Sequence, residues 1–141
     1  LLAEGAPLLN GVAAAKMNAP AGELFARAIH CNWLVCLAIW MAARTTSDSA
    51  KLGVIFWCLF AFIASGYEHS VANMTLFSIA LHGNHPETVS LAGMAHNLLW
   101  VTLGNAVAGS LFMAAGYWFA SKPALAPAHA PAKGKLAQAK G

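Results

Sequence analysis

The sequence predicts an all-α membrane protein with three transmembrane segments, the second of them broken at mid-membrane. Three observations carry this prediction. Hydrophobic residues fill 59% of the 141 positions and charged residues only 9%, with a mean hydropathy of +0.60, whereas soluble domains carry about 25% charged residues. The apolar residues gather into three runs, each meeting the requirement of about 20 predominantly apolar residues for one crossing. The middle run is interrupted by Gly66-Tyr67-Glu68-His69-Ser70-Val71-Ala72-Asn73-Met74. A charged side chain at mid-membrane costs about 2.5–3.5 kcal/mol on insertion scales, so ionisable residues there mark an ion or substrate path.

Taken in order, residues 1–23 read as an outer loop region that follows an upstream half of a longer protein. Leu1 is not an initiator methionine, and Leu1 to Met17 lacks the basic stretch, apolar core and cleavage site of a signal peptide. The first crossing covers residues 24–43, with Asn18 and Pro20 as start signals and Glu23 where the helix dipole favours an anion. The second covers 51–81. Gly66 and the polar cluster end its regular pattern after about four turns, which predicts two half-helices joined by a non-helical loop near 66–70. The third covers 95–120, with Gly104, Ala108 and Gly109 forming a small-residue surface for a neighbouring helix and Trp100 and Trp118 toward its ends. Residues 121–141 are rich in Pro, Ala and Lys without apolar periodicity, the composition of a disordered tail.

Arg44 and Lys51 in the first link, and the lysines of the tail, put both on the cytoplasmic side. The link from His82 to Met94 has no Lys or Arg and falls outside with the N-terminal region. The net charge of +3 arises mostly in the tail and describes no nucleic-acid surface. Cys31, Cys36 and Cys58 are odd in number and lie in predicted crossings, so they read as small apolar fillers rather than a disulfide framework.

The broken crossing carries the chemistry. Non-helical backbone at this depth is tolerated only where protein buries it or where it lines a water-filled cavity, so Gly66 with Glu68, His69, Ser70 and Asn73 behind it predicts a pore. The half-helix that starts near Ser70 would turn free N–H groups and its positive end toward an anion. His69 alone has an ordinary pKa near neutrality, about 6.5, and could exchange a proton with a weak acid in transit; the sequence leaves its protonation state open. Glu68 would be self-defeating in an anion path and is given a supporting role, bonding backbone or a neighbouring subunit. Lys16 in the outer region would raise the local concentration of anions. Asn32 and Asn73 are amides that need partners, in helix–helix hydrogen bonds or along a pore. His30 and His96 lie near helix ends as satisfied interfacial histidines.

The Gly66 to Met74 motif, the preceding Cys31-Asn32-Trp33-Leu34-Val35-Cys36-Leu37-Ala38, and His96-Asn97-Leu98-Leu99-Trp100-Val101-Thr102-Leu103-Gly104-Asn105 closely resemble the formate/nitrite transporter family. The resemblance is greatest to its nitrite channel branch and covers about Ala13 to Lys122. It implies one repeat of a six-segment inverted-repeat channel, a homopentamer in the bacterial inner membrane, passive conduction of a small anion, no enzymatic step and no nucleotide, metal or other cofactor. By motif, His69 resembles the central pore histidine, Lys16 the lysine of the outer vestibule, Asn32 and Asn73 its polar neighbours, and Phe62 an aromatic that narrows the pore. Gly66, Ser70 and Glu68 support them. The rival readings are a formate channel of the same family and a haem-binding membrane anchor using His30, His69 and His96.

Overall fold

The computed structural model describes residues 2–121, all in helices or their connections; the tail predicted over 121–141 lies, Ser121 apart, outside the described residues. Six α-helices follow one another: α1 Leu2–Met17, α2 Ala21–Ala43, α3 Asp48–Ala64, α4 Ser70–His82, α5 Leu91–Val107 and α6 Gly116–Ser121. A π-helical stretch, Ala108–Ala115, joins the last two into one continuous rod. Two helices, Ala21–Ala43 and Leu91–Ser121, are long and apolar enough to cross a bilayer.

The first correction concerns residues 1–23, which hold helix α1 where the sequence predicts an outer loop. Pro7 and the glycines at 5 and 11 disguise the helix. It is held from outside: Ala13 and Met17 are fully buried against Phe77, Ala80 and Val89. The Asn10 and Asn18 side-chain amides donate to the carbonyls of Asn84 and Thr88, both at 2.9 Å. Tertiary packing of one face, rather than propensity, supplies most helical stability.

The helices predicted from about 24, 51 and 95 start three or four residues earlier, and each start has a local cause. Pro20 precedes α2, where its fixed φ suits entry into a helix. Ser47 accepts from the Ala50 N–H ahead of α3 and Ser90 from the Gly93 N–H ahead of α5, each satisfying a donor that the first turn leaves free.

The small-residue surface predicted on the third segment is where α2 comes closest. A Cβ on Gly104 would stand 2.6 Å from the Phe25 carbonyl oxygen and 2.7 Å from the Ala28 Cβ. Beside it Leu24, Ala28 and Val101 form a buried cluster against Trp100. Backbone cannot give way as a flexible side chain can, so Gly104→Val should force α2 and α5 apart and cost about 1–3 kcal/mol. The measurement is the melting temperature in detergent, which should fall by several degrees; an unchanged value would mean that the helices separate freely.

The π-helical stretch has an equally specific origin. The Asn32 amide donates to the Asn105 carbonyl at 2.6 Å, and Gly109, the α-helical partner of that carbonyl, has a vacant Cβ position 3.0 Å from the same amide nitrogen. A side chain inserted into the hydrogen-bond ladder shifts its register. The sequence predicts an uninterrupted third segment because the inserting residue lies 73 positions upstream.

Candidate functional site

The predicted break in the second segment falls between Ala64 and Ser70. Gly66 is the one described residue outside the ordinary φ range among the resolved backbone, at φ +65°. Its N–H donates to the Ile63 carbonyl, and the Tyr67 N–H reaches back to the Phe62 carbonyl, both at 3.1 Å. This paired closure stops a helix and requires a left-handed residue, which glycine adopts without a Cβ penalty.

Beyond it the chain is extended. His69 precedes α4 at φ −119°, ψ 120°, and its carbonyl accepts the first helical bond, from the Asn73 N–H at 2.9 Å. Its ring is half-buried, 6.3 Å from the Phe62 ring between centroids. Nδ1 is buried and has no hydrogen-bond partner among the described residues. A buried ring nitrogen without a protein partner is the kind of exception that calls for water, an ion or a permeant molecule.

Asn105 of α5 organises the start of α4. Its Oδ1 accepts from both the N–H and the hydroxyl of Ser70, at 3.0 and 3.1 Å, while its Nδ2 donates to the Ala28 and Glu68 carbonyls at 2.9 and 3.1 Å. The expectation of free N–H groups at this helix start is therefore corrected at Ser70, whose donor is already used. Only the N–H groups of Val71 and Ala72 remain without an intrahelical acceptor by helix geometry.

Glu68 is also corrected. Among the described residues its carboxylate bonds side chains rather than backbone, accepting from the Lys16 ammonium at 2.7 Å and from the Asn73 amide at 2.5 Å. The carboxylate is 1% exposed and the lysine side chain 22%. Such a pair repays its desolvation only when further hydrogen bonds satisfy the charges, and the Asn73 amide supplies one. Lys16, expected as a lone outer cation, is thus half of an ion pair whose carboxylate is buried and whose ammonium is half-buried.

The pair opens onto a cleft of about 460 Å³ whose wall includes Pro20, Glu23, Arg27 and Gly66. Arg27 meets Glu23 at 2.6 Å in an exposed pairing across one helical turn. With two cations and two carboxylates in its wall, the cleft is formally neutral.

The remaining predicted residues divide. Phe62 and His69 are brought together, as are Lys16, Glu68 and Asn73, whereas Asn32 bonds the α5 backbone. His30 Nδ1 bonds the Ala26 carbonyl at 2.8 Å and His96 Nε2 the Ala19 carbonyl at 3.1 Å, the satisfied state expected of them. Among the described residues there is no group of three or more His, Cys, Asp or Glu that could hold a metal ion. The sequence alone assigns Asn97 and Asn105 no role. Lying eight positions apart on one helix, they share a broad face, and the rule that buried amides need partners applies to them as it does to Asn32 and Asn73.

A family profile described as formate/nitrite transporter matches residues 3–119. The chain belongs to this family. It is 58% identical over 127 residues to the nitrite transporter NirC of Escherichia coli (strain K12), covering 90% of the chain and 47% of that protein. It is 56% identical to NirC of Salmonella typhimurium, covering 94% and 48%, and 41% identical to a probable formate transporter of Methanothermobacter thermautotrophicus, covering 69% and 35%. A solved structure titled FNT family ion channel superposes with a TM-score of 0.78 at 59% identity, covering 82% of the chain and 46% of that structure. The chain therefore spans about half the length of the curated NirC relatives it matches. Family membership and two helices long and apolar enough to cross a bilayer together point to a membrane protein.

Proposed function

We propose that the chain supplies half the wall of a passive channel for small monovalent anions, with nitrite as the principal substrate. In this reading α2, the α3–α4 pair and the rod from α5 to α6 are three crossings. A second, inverted set of three completes a pore, five copies assemble in the bacterial inner membrane, and residues 121–141 form a cytoplasmic tail. Identity above 55% to proteins named nitrite transporters over nearly the whole chain supports the substrate. The supporting observation in the chain itself is the broken α3–α4 segment with the unpartnered Nδ1 of His69 beside Phe62.

Mechanistically, the outer cleft at Lys16 receives the anion, Phe62 limits water at the break, and His69 bonds the permeant or lends it a proton. The start of α4 adds, near the same point, the N–H groups of Val71 and Ala72, which have no intrahelical acceptor. Proton transfer lowers the barrier because burying a neutral acid costs far less than burying an unpaired charge.

Vesicles containing the complete protein should release nitrite down its gradient in either direction, faster than formate and without nucleotide. Flux that depends on ATP would sink the passive reading, and release of formate alone would move the assignment to that anion. A haem absorption band in the purified protein would instead favour the membrane-anchor reading.

A further inference from the structure

We infer that Asn97 is a positioning residue that holds the Lys16–Glu68 pair in place at both ends, an inference that rests on the channel reading above. Asn97 is completely buried in α5, and both ends of its amide are used between elements. Its Nδ2 donates to the Lys16 carbonyl and its Oδ1 accepts from the Asn73 amide, both at 2.9 Å. The Asn73 amide spends its other hydrogen on Glu68, whose second oxygen takes the Lys16 ammonium. The four links close a ring: Lys16 ammonium, Glu68, Asn73, Asn97 and back to the Lys16 carbonyl.

The chemistry of the ring fixes its direction. The Lys16 carbonyl and the Glu68 carboxylate only accept, so each of the two amides must turn its NH₂ toward an acceptor, and neither can flip without setting oxygen against oxygen. Asn97 thereby anchors the backbone of Lys16 while Glu68 anchors its side chain. The ammonium cannot swing along the cleft without breaking a bond at one end. Asn97 itself does not line the cleft around Lys16 and Glu68, so it acts on them through Asn73 and the α1 backbone.

The test is a double-mutant cycle in the complete protein, read as nitrite flux into vesicles and as the melting temperature of the assembly. Asn97→Leu keeps the bulk but removes donor and acceptor, and should reduce flux about tenfold, the effect of leaving buried partners unpaired. In a Glu68→Gln background the same change should cost less than about twofold, because residues of one network are non-additive. An equal loss in both backgrounds would overturn the inference. Coupling in melting temperature is read without any flux, so a protein that conducts no nitrite yet shows the coupling refutes the channel reading and keeps the positioning role. If Asn97→Leu fails to assemble, Asn97→Asp is used. Its carboxyl can donate to the Lys16 carbonyl only when protonated, so its flux relative to wild type should rise from pH 8 to pH 5. A constant ratio would overturn the inference.

Discussion

His69→Phe should leave the protein folded and assembled but lower nitrite flux about a hundredfold, the low end of what a positioned proton donor contributes. The structural side of this expectation follows from the backbone. What His69 gives to folding is its carbonyl, which accepts from the Asn73 N–H, and every substitution keeps that bond. Its ring Nδ1 has no partner among the described residues, so replacing the imidazole removes no hydrogen bond from that atom. Phenylalanine retains bulk against Phe62. What disappears is the one side chain at the break that can both bond an anion and exchange a proton near neutral pH. His69→Asn separates these roles, since it bonds without titrating: recovery of flux would assign His69 to hydrogen bonding, and continued loss to proton transfer. Wild-type flux in the Phe variant between pH 5 and 8 would show that the imidazole does not act on the permeant.

The break was legible because its signals are local. Gly66 and the polar run behind it lie within nine consecutive residues, and the helix stop they announce is completed by backbone bonds among Phe62, Ile63, Gly66 and Tyr67. The small-residue contact at Gly104 was legible for the same reason. Helix α1 was not, because its residues show no apolar stripe and its packing partners, Phe77, Ala80 and Val89, are sixty or more positions away. Nor was the Lys16 partner of Glu68, 52 residues away, nor the hold of Asn97 on a carbonyl 81 residues away. Sequence spacing ranked Lys16 as an isolated charge, and only the fold gives it a counter-ion. That pairing changes what its removal should do.

Lys16→Ala should reduce nitrite entry by more than tenfold at low salt, and the reason is the charge it leaves behind. Removing one partner of a buried ion pair costs about 3–5 kcal/mol, because the other charge stays in a medium that cannot solvate it. Here the survivor is Glu68, 1% exposed, in a cleft that the pair had kept formally neutral. The cleft then carries a net negative charge at the point where an anion enters, so part of the loss is repulsion rather than missing attraction. Glu68→Gln does the opposite: it leaves Lys16 uncompensated and should lower the nitrite concentration at half-maximal flux. The double variant Lys16→Ala/Glu68→Gln restores neutrality and should recover much of the flux lost in Lys16→Ala alone. The gap between the single variants should narrow as the Debye length falls from about 8 Å at physiological ionic strength to about 3 Å at 1 M. Lys16→Arg keeps the charge and can still pair with the carboxylate, and should retain most activity, although its planar fork meets Glu68 with different geometry. Flux into vesicles across a series of salt and nitrite concentrations is the measurement. A double variant as impaired as Lys16→Ala, with a deficit constant at every salt level, would show that the ammonium itself touches the permeant anion and that the field of the cleft is secondary.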